Sequence, residues 1–452
     1  MRTRAIILAA GKSTRMYSAL TKVLHPLLGR AMIWYGMDAA QVASGEKPVV
    51  VVGGQNADAI RQEVGDAADF VLQEPQLGTG HAVQRAEGLL RGQADLVLVI
   101  TADMPLLTAE TLQGLVQAQQ ANEGPITMLT LVSNDPRGFG RVVRNRAGQV
   151  EAIVEDVQAT AEQRMIRELN ASAYCFHAGW LWQNLSRIPL SPKGEHYLTD
   201  LVGIAVSDGL TVQALVAEDS SETIGINNRV HLAEAEALLR QRINRAWMLS
   251  GVTIIDPATT HIEPGVTIGQ DTTIWPNTYL QGATTVGAAC TLGPNSIIRD
   301  TRIGDNCKVL ASVLESAVLE DHVDMGPFGH LRKGAHLASH VHMGNFGEVK
   351  NSYLGPGTKM GHFSYLGDAT IGEKVNIGCG TITCNLGPDG KKNPTEIGPG
   401  AFIGSDTMLV APVKVGEGAV TGTGSVVTKN VPPHTLVVGV PARAIRKLEK
   451  HD

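Results

Sequence analysis

The chain predicts two folds in tandem: an α/β domain on a mostly parallel sheet, followed by a parallel β-helix. Three observations carry this. Aliphatic residues recur at every sixth position through the C-terminal half, a period that fits neither a helix of roughly 3.6 residues per turn nor an isolated alternating strand. In the N-terminal half, short apolar runs alternate with amphipathic helical stretches, the pattern of βαβ units. Between the halves, residues 228–250 are rich in helix formers and hold neither Gly nor Pro, and read as a linker helix. The predicted boundaries are therefore 1–227, 228–250 and 251–452.

In the first domain the apolar runs are residues 5–10, 49–52 and 96–100, with a helical segment at 81–90. Ligands of such sheets bind beyond the carboxyl ends of strands, so the loops leaving those ends are searched first. The first is Leu8-Ala-Ala-Gly-Lys-Ser-Thr-Arg-Met16. Its small residues let backbone N–H groups approach phosphates, and Lys12 and Arg15 add charge. It is not a P-loop, because the glycine required five positions before Gly11 is Ile6. The dinucleotide fingerprint Gly-x-Gly-x-x-Gly is absent too. As a plain strand-ending turn the loop needs no ligand at all. Asp103 ends the run from Asp95 to Pro105. It is placed either to hold Mg²⁺ against phosphate oxygens or to cap the segment starting near Thr108. Gln73-Glu-Pro-Gln-Leu-Gly-Thr-Gly-His81 is a polar loop before a helix, able to read a base edge or to serve as an ordinary helix start.

The β-helix starts after Gly251. Ile262, Ile268, Ile274, Leu280, Val286, Leu292 and Ile298 share one register. The register slips and resumes at Leu319–Val349, at Leu354, Met360 and Leu366, and at Ile397, Ile403, Leu409 and Val415. Many of these residues precede Gly, as in Ile268-Gly269 and Met343-Gly344, and each such Gly is expected to make a tight corner.

Composition narrows the function. The chain has 452 residues and a net charge of −6, which excludes a generally basic nucleic-acid or membrane surface while leaving room for a local basic pocket. The five cysteines are scattered and form no C-x-x-C pair, so no disulfide framework or structural zinc is expected and a reducing, cytoplasmic setting is. The apolar start is too short to read as a signal peptide, and no run approaches membrane-spanning length.

Leu8–Met16 together with Lys22-Val-Leu-His-Pro26 resembles the signature of sugar-1-phosphate nucleotidyltransferases. Gln76-Leu-Gly-Thr-Gly-His-Ala82, Phe139-Gly-Arg141, Ile153-Val-Glu155, Leu169-Asn170 and Gly225-Ile-Asn-Asn-Arg229 narrow it. With the hexapeptide half, the whole chain is similar to the bacterial bifunctional N-acetylglucosamine-1-phosphate uridylyltransferase/glucosamine-1-phosphate acetyltransferases. The resemblance implies a Rossmann-like α/β nucleotidyltransferase domain, a left-handed β-helix, and a homotrimer with acetyl sites between subunits. It implies UTP and acetyl-CoA as co-substrates and Mg²⁺ at the uridylyl site. Leu8, Ala9, Ala10, Gly11, Gln73, Gly78 and Thr79 would recognise the uracil. Arg15 and Lys22 would neutralise phosphates, and Asp103 and Asn227 would hold Mg²⁺. Gly140, Glu155, Asn170 and Asn227 would hold the sugar. The family often has Tyr-Gly before the metal-binding Asp; here Thr101-Ala102 stands there.

In the β-helix, Lys359-Met-Gly-His-Phe-Ser-Tyr-Leu-Gly-Asp368 resembles the acetyl-transfer site of the same family. His362 would be the general base, since imidazoles titrate near neutral pH, and Glu348 is expected to orient it. Arg332 and Lys350 would bind the sugar phosphate, and Tyr365 and Asn376 the sugar. Residues 384–395 break the repeat and are expected to project as a loop. Cys379, Asn385, Ser405 and Thr423 match acetyl-CoA positions. Leu386 replaces an aromatic common in the family, and Val440 stands where Arg is common, which points to Arg443 as the substitute cation. The basic tail Arg443, Arg446, Lys447 and Lys450 either meets coenzyme phosphates or forms a solvated helix face. Two other readings share this plan: a single-activity nucleotidyltransferase whose β-helix only assembles subunits, and a non-enzymatic regulator. A scaffold gives no reason for Arg332, Lys350, His362 and Asn376 to occur together, and a regulator none for Arg15, Lys22 and Asp103.

Overall fold

The computed structural model describes residues 1–448. The chain divides into two compact units, Met1–Leu239 and Arg240–Asp452.

The first unit is a mixed sheet covered on both faces. Along its main path the strands run Val212–Val216, Ile126–Val132, Glu168–His177, Leu96–Thr101, Thr3–Ala9, Val49–Gly53, Asp69–Gln73. All pairs on this path are parallel except those of Glu168–His177, which runs antiparallel to both neighbours. Burial on both faces explains why the central strands read as continuous apolar runs. Ala5, Ile7 and Ala9 enter one core layer, while Ile6 and Ala10 enter the other. Thr3–Ala9 lies between Val49–Gly53 and Leu96–Thr101, so the chain leaves this strand toward opposite sides in succession. The crevice at such a switch point is where ligands bind, and it gathers the loops after residues 9, 73 and 101.

The helix expected at 81–90 is two shorter ones, Thr79–Arg85 and Glu87–Leu90. The linker helix is Arg229–Leu249. Its second half, from Arg240 onward, belongs to the second unit: Ile243 and Trp247 pack on the β-helix core, and buried Asn244 donates to the carbonyls of Pro257 and Thr260 at 2.9 and 3.0 Å.

The second unit is a three-sided β-helix whose sheets hold twelve, ten and nine strands, all parallel except the last of the twelve. Every predicted inward aliphatic is buried, and partners stack rung on rung, as in Ile262 beneath Leu280 and Leu280 beneath Ile298. The slips in period are corners shortened by a residue: Leu292 pairs Val309 and Ile303 pairs Leu319, so the stack survives.

Glycine makes the expected corner at Gly293 and Gly326, which follow Leu292 and Met325 with φ of 88° and 103°, but plays another part at Gly269 and Gly344. Asp271, Asn277, Asn306, His322 and even Phe328 take the left-handed corner conformation, with φ from 57° to 62°. Gly269 and Gly344 are not in that region. A Cβ on Gly269 would instead meet Ala288 N at 2.5 Å and Gly287 C at 2.6 Å in the next coil. These glycines follow the inward aliphatic because the backbone of the neighbouring coil leaves no space there. The tail also departs from expectation. Ala442–Lys447 is a strand antiparallel to Thr435–Gly439, not a helix. Arg443 and Arg446 are exposed on it, and Lys450 lies outside the described residues.

Candidate active sites

Two adjoining chambers open at the switch point. The first, about 410 Å³, is lined by Leu8–Ser13, Lys22, Gln73, Gln76, Gly78, Thr79, Thr101, Asp103 and Tyr197 among others. The second, about 240 Å³, shares Leu8, Thr79, Thr101 and Tyr197 and adds Gly138, Phe139, Gly140, Glu155, Asn170 and Thr199. The expected nucleotide residues thus line one chamber, and three of the four expected sugar residues line the other.

The charged centre lies at the first chamber. Lys22 Nζ donates to Asp103 Oδ2 at 2.5 Å. Arg15 Nη2 donates to Asn227 Oδ1 at 2.8 Å across 212 residues. The N–H of Ile226 donates to the carbonyl of Asp103 at 2.8 Å, which brings Asn227 beside it. Asp103 caps no helix; Thr108 caps Ala109–Ala121 through Thr111 N. The first loop is tied by Gln76, whose amide donates to Ala10 O at 2.5 Å, and Gly53 beneath is glycine because a Cβ would meet that amide.

Gln73 is almost fully buried. Its amide nitrogen donates to Gly78 O at 2.8 Å and lies 3.2 Å from His81 Nδ1, so its oxygen is the atom left for a ligand. Gly78 (φ 94°) packs on His196, whose carbonyl oxygen would lie 2.6 Å from any Cβ. Thr79 Oγ1 accepts the N–H of Leu198 at 2.9 Å.

In the second chamber, Thr199 donates to Glu155 Oε1 at 3.0 Å. Burial pushes the Glu155 carboxyl above its ordinary range, partly opposed by that hydroxyl. Asn170 accepts Ser172 N–H and donates to Tyr174 Oη at 2.6 Å; its own N–H donates to Gly140 O at 2.9 Å. A Cβ on Gly140 would lie 2.9 Å from Ile153 Cγ2, so this floor admits only glycine without movement. Tyr197 and Thr199 were missed in the sequence. Their only signal was the polar and aromatic run Glu195-His-Tyr-Leu-Thr-Asp200, which carries no spacing rule.

In the β-helix, a cavity of about 660 Å³ is lined by His362, Asn376, Cys379, Ser405 and Thr423, with Phe402, Lys359 and His342. The predicted sugar-phosphate residues Arg332, Lys350 and Tyr365 lie on the neighbouring sheet. There Gly347–Lys350 pairs Ser364–Gly367, so Glu348 stacks on Tyr365 and Lys350 on Gly367. Arg332 follows the strand beneath. Glu348 does not hold His362; its Oε1 accepts Arg332 Nη1 at 2.9 Å. Asn385 sits on this side too, donating to Asp368 Oδ2 at 2.6 Å and to Tyr365 Oη at 3.4 Å. Asn376 sits with the coenzyme set rather than with Tyr365. His362 stands at the corner between the two faces. The 384–395 segment is a loop closed by the bridge between Leu386 and Lys392. Leu386 and Val440 are exposed, at 59% and 73%, and Arg443 Nη1 donates to its neighbour's carbonyl, Ala442 O, at 2.9 Å.

Among the described residues no cluster of three or more His, Cys, Asp or Glu side chains could hold a metal, and no helix is long and apolar enough to cross a membrane. The five cysteines are unpaired.

Comparison with known proteins assigns each half. Residues 5–173 match the MobA-like NTP transferase domain. Residues 265–300 and 394–429 match the bacterial transferase hexapeptide (six repeats). The chain is 46% identical over 436 residues to a bifunctional protein GlmU of Heliobacterium modesticaldum, covering 96% of this chain and 94% of that one. It is 47% identical over 439 residues to one of Pelobacter propionicus, covering 96% and 95%. Another, of Halalkalibacterium halodurans, is 43% identical over 449 residues, covering 99% and 97%.

Proposed function

The chain belongs to the GlmU family of bifunctional proteins, and from that premise we propose that the paired chambers and the β-helix cavity are its two active sites. It is an enzyme of UDP-N-acetylglucosamine synthesis, and its C-terminal half is a left-handed β-helix. It transfers acetyl from acetyl-CoA to glucosamine 1-phosphate, then uridylyl from UTP to N-acetylglucosamine 1-phosphate, releasing pyrophosphate. The observation that carries the site assignment is the grouping of the ion pair Lys22–Asp103 and the Arg15–Asn227 hydrogen bond beside one chamber, with Glu155 in the next.

UTP takes the first chamber, with uracil against Gln73, Gly78 and Thr79 and phosphates along 8–11. The sugar takes the second, against Gly140, Glu155 and Asn170. Asp103 and Asn227 fit Mg²⁺: both offer hard oxygen donors, both face cationic groups, and Mg²⁺ takes few protein ligands when phosphates supply the rest. Bound there, the ion would neutralise phosphate charge. In the reaction a phosphate oxygen of the sugar attacks the α-phosphorus of UTP, the new P–O bond forms, and the bond to the β-phosphate oxygen breaks as pyrophosphate leaves. Lys22 and Arg15 balance the charge that shifts onto pyrophosphate, and the chambers hold the two substrates in line.

At the second site, Arg332 and Lys350 bind the sugar phosphate and Tyr365 and Asn376 the sugar. Cys379, Asn385, Leu386, Ser405, Thr423, Val440 and Arg443 are the acetyl-CoA set. The amine nitrogen attacks the thioester carbonyl, the C–N bond forms, His362 takes the nitrogen's proton, and the C–S bond breaks to release CoA. Cys379 is a packed thiol, not a nucleophile.

The same reading gives a homotrimer in the cytoplasm. On one chain the sugar-phosphate residues and the cavity lie on adjacent faces, which suits a site completed by a second copy. Phe328 and Phe346 stack at 5.2 Å and, with Phe363, climb one corner to His362, each more than half exposed. Sedimentation at micromolar concentration should read three times the chain mass; a monomer would refute the trimer.

The reaction itself is tested by giving the full chain glucosamine 1-phosphate, acetyl-CoA, UTP and Mg²⁺ and following CoA and pyrophosphate. Both should appear, and pyrophosphate should depend on acetyl-CoA. Pyrophosphate release from N-acetylglucosamine 1-phosphate with no CoA release under any condition would leave only the single-activity reading.

A further inference from the structure

The sugar chamber is walled by a turn that its own sequence disfavours. Phe139 N–H donates to Pro136 O at 2.7 Å, closing a four-residue turn. Its two central residues, Arg137 (φ 45°) and Gly138 (φ 82°), are both left-handed. Glycine takes that conformation freely, whereas an arginine does so against the clash of its Cβ with the following carbonyl.

Something must hold Arg137 there, and three contacts do. Asp135 Oδ1 accepts its N–H at 3.3 Å and Asp135 Oδ2 its Nε at 3.1 Å. Glu234 Oε2 accepts its Nη1 at 2.8 Å. Asp135 is a local partner, but Glu234 lies 97 residues away in the helix Arg229–Leu249. Of these three contacts to Arg137, the one with Glu234 reaches another element.

The turn sets the position of residues 138–140. Gly138, Phe139 and Gly140 line the chamber with Glu155 and Asn170. Phe139 also packs on Gly225, with ring atoms 3.7 Å from where a Cβ would stand, two residues before Asn227. A shift of the turn would therefore move one wall of the chamber while the Gln73–Thr79 loop stays in place.

We propose that Arg137 and Glu234 are positioning residues that fix the 138–140 wall of the sugar chamber and so set affinity for the sugar phosphate. The proposal rests on the reading that this chamber takes N-acetylglucosamine 1-phosphate. Wild-type turnover is therefore measured first: no uridylyl transfer to that sugar would sink the reading itself, before any variant is made.

The test uses the full chain and the isosteric Glu234→Gln. Losing one partly exposed ion pair should raise the KM for N-acetylglucosamine 1-phosphate about 2- to 5-fold, with the KM for UTP, kcat and CoA release unchanged. Arg137→Gly separates anchoring from backbone strain, since glycine relieves the turn but cannot reach Glu234. It should raise the same KM, and the double variant should add nothing further. Glu234→Asp, which keeps the charge, should recover part of the loss. An unchanged sugar KM in Glu234→Gln would overturn the proposal. So would an Arg137→Gly variant that binds sugar as well as wild type, or a fall in kcat and a rise in both KM values alongside a lower melting temperature.

Discussion

Asp103→Ala should separate the two activities and reveal how much the charged centre contributes to stability. The Lys22–Asp103 pair is 2.5 Å long, with side chains 15% and 25% exposed. Solvated pairs contribute about 0.2–1 kcal/mol, while removing one partner of a fully buried pair costs roughly 3–5 kcal/mol. Discounted for its partial exposure, this pair is expected to contribute about 1–2 kcal/mol. For a unit of this size that lowers the melting transition of the first unit by about 2–8 °C. The functional loss should be larger, because the alanine leaves Asn227 as the sole remaining oxygen donor of the pair. Pyrophosphate release should fall on the order of 10²–10³-fold, and CoA release should not change. Calorimetry, a pyrophosphate-coupled assay and a thiol assay for CoA on one preparation read all three quantities. Pyrophosphate release within a few-fold of wild type would refute the role given to Asp103. Loss of both activities with the β-helix still folded would refute the independence of the two sites.

His362→Ala should do the reverse, lowering CoA release on the order of 10²–10⁴-fold while pyrophosphate release from N-acetylglucosamine 1-phosphate persists; intact acetylation would place the base elsewhere. Burial raises the Glu155 carboxyl, so the fold holds that proton more tightly than the unfolded chain does, and stability is lost as pH rises through the raised pKa. Glu155→Gln should therefore melt higher than wild type above that pH. The wild-type sugar KM should climb as pH falls through the same range, and a pH-independent KM would exclude an ionised Glu155 from sugar binding. Arg443→Ala should raise the KM for acetyl-CoA several-fold and narrow the discrimination against dephospho-CoA; an unchanged KM would leave Arg443 a solvated residue. Gly344→Ala would drive a Cβ into the Gly361 backbone of the next coil, whose carbonyl carbon lies 2.5 Å away, and should lower the melting of the β-helix unit; a neutral substitution would show that the coil spacing yields.

The β-helix was legible because its core is written one residue at a time: a side chain at every sixth position faces the axis, and nothing else in a protein repeats that way. The reason for glycines such as Gly344 was not legible, because contact with the next coil depends on residues seventeen positions away, here Gly361, whereas a corner is local. The tail Ala442–Lys447 misled for a related reason. Its bases Arg443, Arg446 and Lys447 fall three and four residues apart, which fits a helix face, and only pairing with Thr435–Gly439 makes it a strand. In the first unit, Asp103 and Arg15 stood out as charges in the segments after strands, and Lys22 through the motif Lys22-Val-Leu-His-Pro26. Tyr197, Thr199 and Arg137 did not, since each acts through the segment it meets rather than through its neighbours in sequence. Glu348 was expected beside His362, yet one rung of the stack decides its partner, and that partner is Arg332.

The shortened corners have a consequence for how such a site can change. Because the coils stay stacked whether a turn of the helix uses eighteen, seventeen or sixteen residues, distance along the axis is counted in coils, each roughly 4.8 Å. The β-helix therefore works as a ruler whose graduations ignore chain length. Residues lost or gained at a corner leave the graduations where they were, and even the long 384–395 loop does so, with Ile382 still set on Met408. Removing one whole coil between Arg332 and His362 would instead slide every later side chain by one graduation. The protein could remain folded while its phosphate-binding and proton-accepting groups fell out of reach of a single substrate.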